Sequence, residues 1–268
     1  MKPLDALTEA EARPARFVLM DIDGTLTTGG KLPAEAYAAL WRLKAAGFAV
    51  IPVTGRPAGW CDLIAREWPV DGVVGENGAL AFWEDRSSRI LRAAYHPQAA
   101  RNNHPALERI RERSLQEIPG LRAAKDQFSR LFDLALDFAE EEPVLPLEAA
   151  LRAKAIAEEE GAQAKISSIH VNIWMGTYDK LSMAELFLTR QLGWGGALEE
   201  VVFAGDSPND EPMFARFPFT CAVANIRQYQ GLIQYPPRFI AAQEGGEGFA
   251  EIAEALLRFH PPRSRRLF

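Results

Sequence analysis

Residues 17–20 read FVLM, an apolar run that breaks at once into DIDGT. A run of that length between turn signals reads as a buried strand. Asp21 and Asp23, two apart just past it, can be turned by one loop toward a single point at the sheet's carboxyl edge. Open α/β sheets bind their ligands at that edge. A carboxylate placed there can attack phosphorus or hold a hard cation while its neighbour handles the proton. Buried aspartates also cap turns and helix starts, so the pair takes its meaning from the rest of the chain.

Strand and helix signals alternate beyond it. PAEAYAALWRLKAA (33–46) has helical spacing, with Pro33 near its start and Gly47 just past its end, the usual asymmetry of helix ends. FAVIPVTG is a second strand, 58–68 a second helix, and DGVVGENGAL a third short strand leaving into a turn. Strand and helix in turn, with short links, imply a parallel, right-handed, doubly covered sheet.

After Ala81 the pattern changes. Residues 82–95 suit a hairpin, 105–118 a helix, 128–140 a strand, 147–161 a helix and KISSIHVNIWM (165–175) another strand. Consecutive strands here look antiparallel, so the segment reads as a second, α+β unit inserted into the first. The alternation then resumes: helix 178–192 ended by Gly193, strand 200–204, short helix 209–217, strand 220–224, a last strand near 238–242 and a closing helix 248–259. The expected architecture is a Rossmann-like, doubly wound parallel α/β sheet from 1–82 and 177–268, with an inserted α+β cap at 83–176.

The 268 residues, 48% of them apolar, suffice for a large core. A net charge of −6 argues against a general nucleic-acid or polyanion binder. The basic stretch at Arg263–Arg266 reads as a solvated end. Cys61 and Cys221 stand far apart with no CxxC pair, which suits buried thiols in a reducing compartment better than a disulfide framework or a zinc site. The first 16 residues hold no apolar core of a signal peptide and no run is long enough to span a membrane. The expectation is a soluble cytoplasmic protein with no nucleic-acid or membrane partner.

Three further islands carry chemistry. Thr54, in VTGR at the end of the second strand, offers a hydroxyl and free N–H groups that can grip an anionic oxygen; alone it also reads as an N-cap and turn. Gly55 and Arg56 come next, the arginine suited to a phosphate or to a surface ion pair. Lys180 opens a helix, where its charge opposes the dipole unless an anionic site needs it, as a nucleophilic aspartate and a phosphoryl group would. GDSPND (205–210) comes after the strand EVVFA and sets Asp206 and Asp210 four apart. Oxygen ligands without His or Cys favour Mg²⁺ over zinc or copper, although Asp before Pro is also a common helix start.

Together, these islands place an acid, hydroxyl or base at the ends of successive strands in one order. The set resembles the haloacid dehalogenase superfamily of phosphotransferases: DIDGT is similar to its first motif, the Thr of VTGR to its second, Lys180 to its third and GDSPND to its fourth. The insertion resembles the type IIB cap of the subgroup that contains sugar-phosphate phosphatases and phosphomannomutases. The resemblance implies that Asp21 is the nucleophile, forming an aspartyl-phosphate, and that Asp23 protonates the leaving oxygen and then activates water. It implies that Thr54 and Lys180 hold phosphoryl oxygens. Mg²⁺ would sit on Asp21, the Asp23 main-chain carbonyl and Asp206, with Asp210 close by. Asn209, with Gly55 and Arg56, is a candidate substrate contact.

Other features have plainer readings. The Asn77-Gly78 step in ENGA is similar to a family turn near the cap hinge and is a turn signal in any case. Gly245-Gly246-Glu247-Gly248 reads as a tight connection rather than a phosphate loop. Phe82, Trp83, Phe128, Phe132, Phe138 and Trp174 read as packing, His170 as structural, and Arg101, Arg122, Lys125 and Arg130 as individually weak candidates for substrate contact.

The leading expectation is a Mg²⁺-dependent phosphatase acting on a small phosphorylated metabolite, a sugar or polyol phosphate by its cap type, as a monomer or homodimer. A sugar phosphomutase would share every core residue but must shield its aspartyl-phosphate from water. A non-catalytic sugar-phosphate sensor would be expected to have lost Asp21, Asp23 or Lys180, and all three are present.

Overall fold

The computed structural model describes residues 1–85 and 87–260, so the basic stretch Arg263–Arg266 lies outside the described residues. FVLM forms the strand Phe17–Met20 with every residue buried. Val18 and Met20 pack into one hydrophobic cluster, Phe17 and Leu19 into another on the opposite face. A strand covered on both faces has no solvent side, which is why the run is apolar throughout.

Six parallel strands form the core sheet in the spatial order Lys2–Pro3, Phe239–Ile240, Phe219–Ala222, Val201–Gly205, Phe17–Met20 and Ala49–Pro52. Helices Ala34–Ala46, Ala58–Glu67 and Gly245–Leu257 bury residues in the first cluster, and Lys180–Leu192 with Glu211–Arg216 in the second. The layers are therefore helix, sheet, helix, as the alternation predicts. Two small elements carry no clear sequence signal: the edge strand Lys2–Pro3 and the short helix Glu9–Ala12.

The inserted segment carries its own four-stranded antiparallel sheet, ordered Arg122–Ala123, Asp133–Asp137, His170–Trp174 and Gln163–Ile166. Helices Pro105–Glu117 and Leu147–Glu159 close a separate hydrophobic cluster over it. This is the expected α/β core with an α+β cap. KISSIHVNIWM, however, is a hairpin rather than one strand. Ser167 turns it: its hydroxyl accepts the His170 N–H (3.0 Å), the local bonding by which serine interrupts a ladder.

A second departure lies at Val73–Gly75. That strand touches the parallel sheet through a single bridge, Val53 to Val74, and pairs antiparallel with Leu80–Glu84, which pairs in turn with Leu91–Tyr95. The turn Glu76–Gly78 is too short for a crossover, so the chain must reverse there. The expected boundary at 83 falls inside this ribbon, where Phe82 packs in a core cluster and the Trp83 ring lies 5.6 Å from Phe187. Cys61 and Cys221 are free and buried, and burial pushes both thiols up. No helix among the described residues is long and apolar enough to cross a membrane.

Candidate active site

From Phe17–Met20 the chain steps to Ala49–Pro52 on one side, then returns to Val201–Gly205 on the other. The strand order reverses at that point, and a crevice opens outside the carboxyl ends. Asp21 leaves one of two adjacent interior strands and Asp206 the other. Gly24 lets their loops meet: its φ is +79°, and a Cβ there would lie 2.4 Å from an Asp206 carboxylate oxygen. Thr27 fixes the DGT turn by accepting the Gly24 N–H at 3.1 Å.

Asp21, Asp206 and Asp210 converge, with one carboxylate oxygen of each within 4.8 Å of the others. Lys180, the first residue of its helix, reaches Asp21 Oδ1 at 3.1 Å and Asp210 Oδ1 at 2.9 Å. All four side chains are at most 5% exposed. Asp210 Oδ2 accepts the N–H groups of Asp206 (3.0 Å) and Ser207 (3.4 Å), so this carboxylate shapes the loop as well as facing the lysine. Asp206 accepts from Thr25 Oγ1 (3.2 Å) and Asn225 Nδ2 (2.9 Å).

Three carboxylates face one ammonium in this closed space. Burial, with Asp210 and Asp23 adding repulsion, pushes Asp21 up to about 7 against the pull of Lys180. Asp206 moves up for the same reasons, burial first and then Asp210 and Asp21. Lys180 also moves up, because its carboxylate neighbours outweigh its desolvation. Both directions express one imbalance, an excess of anion that a divalent cation would relieve. An all-oxygen donor set suits a hard ion such as Mg²⁺, and Asp21 and Asp206 are the side chains that would hold it, with Asp210 alongside.

Asp23, two residues on, is turned elsewhere. Both its oxygens accept from Arg56, Oδ2 from Nε at 2.8 Å and Oδ1 from a terminal nitrogen at 2.7 Å. The other terminal nitrogen of Arg56 donates to Glu140 of the cap (2.9 Å) and lies 3.8 Å from Asp126, while the guanidinium stacks 4.5 Å from the centre of the Trp60 ring. Arg56, expected as a surface pair or a phosphate contact, is thus a buried fork between core and cap. The Asp23 carboxylate does not join the convergent set of three; only its main chain is left for the metal role expected of it.

Thr54 is fully buried, and its hydroxyl accepts the Arg56 N–H at 3.1 Å, the capping contact that VTGR also suggests. A hydroxyl accepting there keeps its own proton to donate. The Gly55 carbonyl accepts from Arg130 at 2.9 Å, and the Asn209 amide oxygen from Ser207 Oγ at 2.8 Å. Of the cap cations, Arg122 pairs with Asp137, Lys125 with Glu141 and the fully buried Arg130 with Asp126 and Asp133, while Arg101 stacks on Tyr95 and Phe132. The glycine-rich loop opens the closing helix, where Gly245 and Gly246 donate to Asn225 and Thr28. Sequence reasoning missed Thr25, Asn225, Glu140 and the second role of His170, which bonds Glu140 at 2.8 Å. Thr25 and Asn225 each sit just past a core strand, and that placement was the available signal; nothing local marks Glu140.

Comparison with known proteins agrees with this geometry. Residues 18–112 match the model of the haloacid dehalogenase-like hydrolases. A search of curated proteins gives no match. Among solved structures, the Thermoplasma acidophilum protein 0175 superposes with a TM-score of 0.69 at 18% identity, over 90% of this chain and 98% of that one. A Plasmodium vivax HAD/COF-like hydrolase gives 0.65 at 15% identity, over 93% and 98%. A haloacid dehalogenase subclass IIB sugar phosphatase gives 0.62 at 15% identity, over 91% and 99%. Identities this low speak to the fold, whose core and cap this chain shares nearly end to end. The matched segment 18–112 is thus similar to the haloacid dehalogenase-like hydrolases and carries Asp21, Asp23, Thr54 and Arg56, while the capped α/β fold is shared over nearly the whole chain.

Proposed function

We propose that the protein hydrolyses a phosphomonoester of a small metabolite, a sugar or polyol phosphate, through an aspartyl-phosphate on Asp21, with Mg²⁺ as its metal. The observation that carries this reading is the meeting of Asp21, Asp206, Asp210 and Lys180 from three separate segments. Bound Mg²⁺ would supply positive charge between two approaching anions. The chain's own groups do the rest. Asp21 attacks phosphorus through one carboxylate oxygen, and its P–O bond forms as the ester P–O bond breaks. Asp23 gives its proton to the departing oxygen. Asp23 then takes a proton from water as that oxygen attacks phosphorus, which frees the Asp21 carboxylate and inorganic phosphate. Lys180 and the Thr54 hydroxyl hold phosphoryl oxygens, with the Gly55 and Arg56 turn and Asn209 bordering them.

The insertion at 83–176 would close over the substrate and keep bulk water out, with its first hairpin bedded on the core. A panel of hexose, pentose, polyol and glycerate phosphates with nucleotides, assayed for phosphate release with and without Mg²⁺, tests the reading. Turnover of one or more sugar or polyol phosphates that needs Mg²⁺ is expected. No release from any member, or isomerisation of a hexose phosphate without release, would overturn it.

A further inference from the structure

Arg56 is held on three sides, and only one of the three belongs to the catalytic loop. Two of its nitrogens grip Asp23, another reaches Glu140 on the cap, and the plane rests on Trp60. A forked guanidinium–carboxylate pair fixes both partners in one plane, so whatever orients Arg56 orients Asp23. Glu140 is in turn fixed from the cap side. One of its oxygens bonds Arg56 and the other His170 Nε2 at 2.8 Å. Its backbone N–H donates to Asp137 (2.8 Å), whose carboxylate is gripped by Arg122 at 3.0 Å. His170 is 3% exposed and lies across the cap sheet from Asp137. The His170 hydrogen bond, ahead of the Arg56 charge, holds Glu140 down to about 2 despite its partial burial.

We propose that Glu140 and His170 of the cap are positioning residues for Asp23, acting through Arg56, so that the acid–base group is set correctly only when the cap is in place. The proposal rests on the phosphatase reading above, in which Asp23 serves as general acid. Neither cap residue touches the reacting atoms. They hold the arginine that grips both oxygens of the aspartate, so closure of the cap over substrate fixes where that aspartate sits. The chain His170–Glu140–Arg56–Asp23 crosses from cap to core, so it forms only in the closed arrangement.

The test exploits leaving groups. An alkyl phosphate needs a proton on its departing oxygen, whereas 4-nitrophenyl phosphate leaves without one. A misaligned acid therefore harms the first far more than the second, while a damaged cap or a loosened fold harms both. The reporter is kcat/KM, which ends at phosphoryl transfer to Asp21, measured for Glu140→Gln with the alkyl phosphate that the wild-type protein turns over fastest and with 4-nitrophenyl phosphate. Loss of about tenfold or more on the alkyl ester, against less than about threefold on the aryl ester, is expected. Glu140→Asp should regain part of the loss, and His170→Gln should show the same asymmetry more weakly. An equal fall on both esters, or no fall on either, would overturn the positioning role. A wild-type protein that turns over neither ester would instead sink the phosphatase reading beneath it.

Discussion

Two buried clusters in this molecule carry the same charges and do opposite things. At the crevice, Asp21, Asp206 and Asp210 face Lys180. At the junction of core and cap, Glu76, Asp126 and Asp133 surround Arg130. Each sets three carboxylates against one cation. In the second cluster the oxygens are met by fixed donors: Glu76 accepts N–H groups from Ala58 (2.9 Å), Leu131 (2.8 Å), Phe132 (2.6 Å) and Asp133 (3.2 Å), and Asp133 accepts from Arg130 and Asn77. One core side chain thereby caps a core helix and holds three successive residues of the cap. In the first cluster Asp206 and Asp210 also have donors, yet one oxygen of each of the three carboxylates lies within 4.8 Å of the others. A count of charges does not separate a site from a scaffold. What separates them is whether the carboxylate oxygens converge on one point, as among the described residues only those of Asp21, Asp206 and Asp210 do.

The difference can be broken at its strongest point first. Asp21→Asn should lower kcat by roughly 10⁴-fold or more, as loss of a nucleophile does, yet leave the thermal midpoint unchanged or raised. The sign comes from the electrostatics: burial makes the charged form of Asp21 unfavourable in the folded state, and a neutral amide removes that penalty. Phosphate-release assays beside thermal melts decide it, and a variant that keeps its activity removes Asp21 from its role. Next in size, Asp206→Asn should cost on the order of 10²- to 10³-fold in activity and abolish the rise in melting temperature that added Mg²⁺ gives the wild type. A variant still stabilised by Mg²⁺ to the wild-type extent would move the metal elsewhere.

The crevice was legible in the sequence because three of its members stand just past core strand ends, where polar residues interrupt an apolar run, and Lys180 was marked by a positive charge at a helix start. Asp21 after FVLM, Thr54 after the second strand and Asp206 after EVVFA all obey that rule. The junction cluster was not legible. Glu76 sits at φ +45° inside a turn that reads as an ordinary Asn-Gly reversal, and its cap partners lie more than fifty residues away across the core–cap boundary. Gly78 there is forced by contact: a Cβ would lie 2.0 Å from the Asp179 carbonyl, just ahead of the helix that Lys180 opens. Pairings of this kind depend on how two domains dock, and no local period encodes that. The same holds for Arg56, whose buried fork depends on a cap loop that the sequence places nowhere near it.

The junction cluster should answer to stability instead of activity. Glu76→Ala strips the acceptor from four backbone donors, at about 1 kcal/mol or more each. A loss of about 4 kcal/mol in urea unfolding is expected, the opposite of the Asp21→Asn result. A Glu76→Ala protein as stable as the wild type would show that water or rearranged backbone serves those donors equally well, and the contrast between the clusters would fail.

The finest test separates the clusters by pH. Burial, with Asp133 repulsion next, pushes Glu76 from an ordinary 4.5 up to about 7, and Asp21 also rises to about 7. A carboxyl whose pKa is raised by folding binds more protons in the folded state, so its contribution is full below the unfolded value and fades as pH climbs through the folded one. Stability of the metal-free protein should therefore fall between about pH 4.5 and 8. The Glu76 share is at most about 3 kcal/mol, at about 1.36 kcal/mol per unit, and Glu76→Gln should flatten that part of the slope. Saturating Mg²⁺ should flatten only the part carried by Asp21 and Asp206, because the cation stabilises the carboxylates it holds and has no access to the buried Glu76. Two partial flattenings that add would establish two independent clusters. A slope that Mg²⁺ alone removes would mean that Glu76 stays ionised, its four N–H donors outweighing its burial.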